Sequence, residues 1–189
     1  MKLTFFQYLC IMREWKRHIN LAIGCCLAAC ITLMGGCDII EEELPTYAQT
    51  SIVNVGEKAP EFSIEALDGT TLRMPNGEPT LLILFSHTCP DCKNMMVDLQ
   101  QYIAASSAKH NIMAISRGGT HGEIEAFKDE HGLQYAIAAD ESANIYYKYA
   151  TMYVPRCYII DRSGTIRHTT YEYTTGDVEL LISQLDKLD

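Results

Sequence analysis

The passage from Thr80 to Cys92 constrains this chain more than any other. Thr80-Leu81-Leu82-Ile83-Leu84-Phe85 is a continuous apolar run, the pattern of a strand buried on both faces. Ser86-His87-Thr88 leads from it into Cys89-Pro90-Asp91-Cys92. Met95, Met96, Leu99, Tyr102 and Ile103 then recur at helical spacing as far as Ala105. A cysteine pair thus stands where a buried strand passes into an amphipathic helix.

The rest of the pattern continues in the same style. Phe62–Glu65 and Thr71–Met74 alternate apolar and polar residues around Asp68-Gly69, a hairpin signal. Asn111–Ser116 reads as a second apolar strand, 123–130 as a helix stopped near Gly132, and 135–138 as a short strand. Residues 144–149 read as helical. Strands are expected at 156–161 and 165–171 around Ser163-Gly164, and a closing helix at 178–188. The expected fold class is α/β: a mixed central sheet with flanking helices. Tyr146, Tyr147, Tyr149 and Tyr153 read as a surface of the insertion, with mixed core and rim packing preferred to a substrate groove.

The pair has a definite chemical logic. A cysteine in the first turn of a helix faces free backbone N–H groups and the positive end of the dipole, which favour its thiolate. Two intervening residues let the second thiol attack a mixed disulfide and release the substrate. Pro90 has no N–H to satisfy at an early helical position. Cys89 is therefore expected to attack and Cys92, more buried, to resolve. Pro155 precedes Cys157 by two residues on a strand, so those two share a face. Cys157 reads as an inert core cysteine in preference to a third redox partner.

Four landmarks together resemble the TlpA/ResA-like thiol–disulfide oxidoreductases. They are Gly56-Glu57-Lys58-Ala59-Pro60-Glu61-Phe62, Leu67-Asp68-Gly69, the Cys89–Cys92 motif, and Val154-Pro155-Arg156-Cys157-Tyr158-Ile159-Ile160-Asp161. The resemblance covers residues 52–189. It implies a thioredoxin-like fold with a central insertion near residues 117–150. It also implies a cis Val154–Pro155 bond beside the cysteines, with Val154 backbone groups pairing with a bound substrate chain. Three positions depart from the family. Thr88 stands where Trp is frequent, Met95 where several reductases have Glu, and Ile83 where thioredoxin has a buried acid. No carboxylate is evident to move a second proton; His87 is a candidate substitute, weighed against a plain loop histidine, the preferred reading.

The N-terminus reads as an address. A basic cluster at 13–18 precedes the apolar stretch 19–34, and Met34-Gly35-Gly36-Cys37 resembles a lipobox. Cys30 fits the letters better, but apolar residues follow it, whereas Asp38 and Glu41-Glu42-Glu43 follow Cys37. Residues 1–36 are thus expected to be a lipoprotein signal peptide, Cys37 the lipidated residue, and 37–51 a flexible acidic tether. Met12 is a second candidate start. The thioredoxin-like domain is expected to occupy 52–189. The expected location is the cell envelope, facing the periplasm, with the lipid in the inner or the outer membrane. Expected partners are the thiols or disulfides of exported proteins and a membrane electron donor. The substrate stays open between apocytochrome c, damaged exported proteins and general disulfide traffic. A monomer is expected, with no cofactor beyond the cysteines.

Charge and motif spacing weigh against other classes. The chain carries a net −9. Residues 1–36 hold Lys2, Arg13, Lys16 and Arg17 against Glu14, a net +3, leaving −12 on residues 37–189. So acidic a domain has no electrostatic footprint for nucleic acid. A metal or carrier module would need ligands beyond Cys89, Cys92 and His87, and no second paired motif supplies them. The nearest rival enzyme is a peroxiredoxin. Its pattern wants Pro at position 82, which is Leu, and Ser or Thr at 86, which fits. It also wants Arg at 155, which is Pro. Arg156, by strand parity, is expected to point away from Cys89, and its loss to leave thiol exchange nearly unchanged.

Overall fold

A computed structural model describes residues 43–106 and 109–188. From Pro45 onward these form one unit, organised by a five-stranded sheet of order β5-β4-β3-β6-β7. Its strands are β3 (Thr80–Phe85), β4 (Asn111–Ser116), β5 (Ala136–Ala138), β6 (Arg156–Ile160) and β7 (Ile166–Tyr171). Strands β3, β4 and β5 run parallel, while β6 and β7 join antiparallel. The mixed sheet read from the sequence is therefore present. A separate hairpin, β1 (Phe62–Glu65) and β2 (Thr71–Met74), turns at Asp68-Gly69 as expected. Gly69 takes φ +80°, and Asp68 accepts the Thr70 N–H at 3.0 Å.

Strand parity divides the core in two. Leu81, Ile83 and Phe85 face one side with Cys92, Met95, Met96, Leu99 and Cys157. Leu82 and Leu84 face the other, among Phe62, Leu72, Tyr146, Tyr149 and Tyr158. From Leu81 to Phe85 every residue of β3 is fully buried, about 1.5–3 kcal/mol of hydrophobic stabilisation for each large side chain. Among the described residues the helices are α1 (Tyr47–Thr50), α2 (Pro90–Ala105), α3 (His121–Glu130), α4 (Tyr146–Tyr149) and α5 (Asp177–Asp186). Helices α2 and α5 lay their apolar stripes on the Ile83 side.

Among the boundaries that differ from the sequence reading, two helix starts have a local reason. Helix α3 starts at His121 because Thr120 and Glu123 cap each other reciprocally. In the insertion, the buried Asp140 carboxylate accepts the N–H groups of Asn144, Ile145 and Tyr146, so α4 starts only at Tyr146. The larger correction concerns the tether expected to run to residue 51. Residues 46–51 are structured: Thr46 and Gln49 form a capping box, and Thr50 is buried. Ser51 pairs with Ala150, and Ile52 N donates to Tyr149 O at 2.9 Å. The acidic run hides this because Tyr47, Thr50 and Ser51 owe their places to residues a hundred positions away. The signal peptide, Cys37, and tether residues 37–42 lie outside the described residues.

Candidate active site

Cys89 occupies the N-cap of α2, with Pro90 in the first turn and Asp91 complementing the dipole. Its Sγ accepts the Cys92 N–H at 3.3 Å, one of the N–H groups that a helix start leaves without a carbonyl partner. Cys89 remains partly exposed, whereas Cys92 is fully buried one turn on. Burial, and next the Cys89 side chain, push the Cys92 thiol well above its ordinary 9.0; the Ser86 backbone pulls weakly the other way. All three described cysteines are unbridged.

The second half of the site arrives from β6. The Val154–Pro155 bond is cis, and the Cys89 thiol donates to Val154 O at 3.6 Å. Val154 is half-buried and packs against both halves of the core. The sequence-predicted residues Cys89, Cys92, Val154 and Pro155 are therefore brought to one place. Cys157 is in the same half of the core but turned inward. It is fully buried, with its Sγ 3.4 Å from Met95 Sδ, and burial pushes its thiol up to about 12. It also lies directly across from Ile83 in the ladder. Met95 and Ile83, the two positions expected to depart from acids of related proteins, are thus apolar side chains packed beside the Cys157 sulfur.

His87 lies two residues before Cys89, with its ring against Gly119. A Cβ on Gly119 would fall 2.9 Å from its ring, so the two are in tight contact, and its Nδ1 is buried with no hydrogen-bond partner. Among the described residues it makes no hydrogen bond to either cysteine. Sequence reasoning named Tyr153 and Tyr146 but not their contacts here: Tyr153 takes φ +70° immediately before Val154, and the Tyr146 hydroxyl donates to Tyr153 O at 2.8 Å. Nothing in residue type or spacing announces either contact. Arg156 lies on the opposite side of β6 from Cys157, as parity required, with its side chain fully buried.

The comparisons agree with this geometry. Residues 55–169 match the AhpC/TSA family. The chain belongs to the AhpC/TSA family. Thiol-disulfide oxidoreductase ResA of Halalkalibacterium halodurans is 25% identical over 145 residues, covering 75% of this chain and 81% of that one. ResA of Oceanobacillus iheyensis is 28% identical over 133 residues, covering 67% and 69% respectively. A solved structure from Bacteroides thetaiotaomicron, assigned as a protein disulfide isomerase, superimposes with TM-score 0.67 at 26% identity. It covers 74% of this chain and 92% of that one. Within the AhpC/TSA family, this chain is a thiol–disulfide oxidoreductase with a thioredoxin-like fold.

Proposed function

We propose that the chain reduces disulfides of exported proteins, with Cys89 as the attacking thiol and Cys92 as the resolving one. The observation that carries this reading is the unequal setting of two sulfurs one turn apart. Cys89 is reachable and receives a backbone N–H, while Cys92 is sealed from solvent. In the first step the Cys89 thiolate attacks a substrate disulfide, forms a mixed disulfide and releases one substrate thiolate. Cys92 then gives up its proton to the released substrate thiolate and attacks Cys89 Sγ. The Cys89–Cys92 disulfide forms, the second substrate thiolate leaves, and two electrons have passed to the substrate. A dithiol donor at the membrane restores the pair.

Burial holds the resolving Cys92 thiol protonated until the mixed disulfide has formed. Val154 O already meets Cys89 Sγ, which suits its backbone to hold an extended substrate chain beside the sulfur. The leader and the lipobox support an envelope location facing the periplasm, with lipid on Cys37 and the catalytic domain working as a monomer. Peroxide reduction would require donors around the peroxide oxygens at the thiol, and Arg156 is directed to the other side of β6.

The reduction potential of the Cys89–Cys92 couple, equilibrated against glutathione, tests the direction. A couple more reducing than glutathione is expected, and one that glutathione readily reduces would reverse it. Stopped-flow mixing with hydrogen peroxide should show only the slow oxidation of an ordinary thiol. Rapid, saturable consumption would move the reading to a peroxidase. The mass of the mature N-terminus decides the lipid: a diacylated chain starting at Cys37 is expected, and one starting at Cys30 or uncleaved refutes it.

A further inference from the structure

Arg156 and the segment just before the domain proper join in an arrangement that the exchange chemistry above does not use. The guanidinium is fully buried, a costly place for a cation unless its N–H groups are satisfied. Its Nε donates to Met152 O at 3.0 Å, Nη1 to Ser51 Oγ at 2.8 Å and Nη2 to Thr50 Oγ1 at 2.5 Å. The two hydroxyls donate in turn to Tyr47 O, so their lone pairs are left for the arginine. Tyr171 lies 5.0 Å from the guanidinium carbon, and Tyr47 stacks on Tyr171.

These contacts converge on the turn that reaches Cys89. Three successive carbonyls each have a separate partner: Met152 O takes Arg156, Tyr153 O takes the Tyr146 hydroxyl, and Val154 O takes the Cys89 thiol. Tyr153, in the left-handed region, also donates its hydroxyl to Pro45 O at 2.7 Å, and its ring packs on Tyr47. A non-glycine residue in that conformation persists only where its surroundings fix it.

We infer that Arg156 is a positioning residue for substrate docking: with Thr50 and Ser51 of the N-terminal strap it sets the Met152–Val154 turn against Cys89. This rests on the reading of Val154 as the docking edge. It also revises the expectation that losing Arg156 would leave exchange nearly unchanged. The side chain points away from the sulfur but supports the turn that meets it.

The full-length chain tests this with three variants: Arg156→Met, Thr50→Val combined with Ser51→Ala, and Arg156→Lys. Two readouts are taken, hydrogen exchange by mass spectrometry and exchange kinetics with a peptide disulfide and with a small disulfide such as oxidised dithiothreitol. Expected for the first two variants is faster amide exchange confined to the 150–155 stretch, with α2 protection retained. Peptide kcat/KM should fall about tenfold further than the small-disulfide rate, chiefly through KM, the scale of one lost hydrogen bond to a charged group. Arg156→Lys should recover part of the difference, since it keeps the charge and an N–H donor group without the fork geometry. Unchanged exchange at 150–155, protection lost everywhere, or parallel loss with both disulfides would each overturn the inference. A wild-type chain that reduces neither disulfide would refute the proposed function instead, and the hydrogen-exchange pattern would still decide the role of Arg156.

Discussion

The cysteine corner and the underside of β6 meet at one turn, yet they are built in opposite ways. The corner takes its parts from one continuous stretch: Ser86 O accepts the Cys89 N–H, Cys89 caps α2, and Cys92 follows one turn later. The underside gathers Thr50, Ser51, Met152, Arg156 and Tyr171 from across the chain. The setting of Cys89 therefore depends on local helix-start physics, and placement of the Val154 carbonyl depends on long-range packing. Damage to the corner should remove chemistry and spare the fold. Damage to the underside should loosen structure and act on chemistry only through the turn.

The largest effect expected is at the corner. Cys89→Ser should abolish reduction of a peptide disulfide, because a hydroxyl supplies no thiolate. The unfolding free energy of the reduced chain should stay within about 1 kcal/mol of wild type, since Cys89 is only partly buried. Cys92→Ser should still attack but stop at the mixed disulfide, visible by mass spectrometry as a stable adduct on Cys89. Retained turnover in Cys89→Ser, or adducts on Cys92 in its place, would exchange the two roles and break the comparison at its centre.

This contrast also explains what could be read in advance. Strand β3, the cysteine pair and α2 were legible because a two-sided apolar run and a helical stripe are local patterns. Val154 and Pro155 were legible through family resemblance, which linked two passages distant in sequence. The strap was not, because the hydroxyls of Thr50 and Ser51 look like any polar linker until Arg156 is beside them. The roles of Asp140 and Tyr153 escaped for the same reason: a carboxylate capping three N–H groups and a left-handed tyrosine are consequences of folding around them.

Alkali offers the next effect in size, and it sets the two faces of β6 against each other. Cys157 on one face is raised from 9.0 to about 12 by burial, and Tyr158 on the other from 10.0 to about 12, again by burial, which outweighs the favourable Arg156 charge. A folded pKa raised above the unfolded value means that the native state holds its proton longer. The stabilisation is then complete below about pH 9 and is lost as pH rises toward 12. For Cys157 alone the span corresponds to about 4 kcal/mol at most. Urea titrations of the reduced chain at pH 7, 9 and 10.5 should show falling stability only above pH 9. Cys157→Val should make that fall shallower, as should Tyr158→Phe. A fall that neither variant alters would place the alkaline sensitivity elsewhere.

A smaller effect is expected where the insertion touches the corner. Gly119 takes φ +84°, and a Cβ there would lie 2.9 Å from the His87 ring and from Ile124 Cδ1. Gly119→Ala should therefore cost about 2 kcal/mol through left-handed backbone strain and overlap together. Equilibrium unfolding measures it. Exchange kinetics on the same variant should change far less. A rate loss as large as the stability loss would mean that the His87–Gly119 contact takes part in the chemistry.

The smallest expected effect concerns His87 itself, and it decides whether the corner contains an acid–base group. The departures at Ile83 and Met95 leave apolar side chains where related proteins have carboxylates, and His87, two residues before Cys89, is the candidate substitute. Its geometry argues for a packed loop residue: the ring is packed on Gly119, and its buried Nδ1 has no partner. A general base must come within hydrogen-bond reach of the proton it takes, directly or through one water, and contributes about 10²–10⁴-fold when it acts. His87→Asn removes the ionisable ring and keeps a polar side chain of modest size. Its exchange rate with a peptide disulfide should remain within about threefold of wild type, well below the contribution of a working base. The pH–rate profile should superimpose on that of the unaltered chain. A hundredfold loss with one limb of the profile missing would instead make His87 the proton acceptor for Cys92. The corner would then join the underside of β6 in depending on a contact the local sequence does not announce.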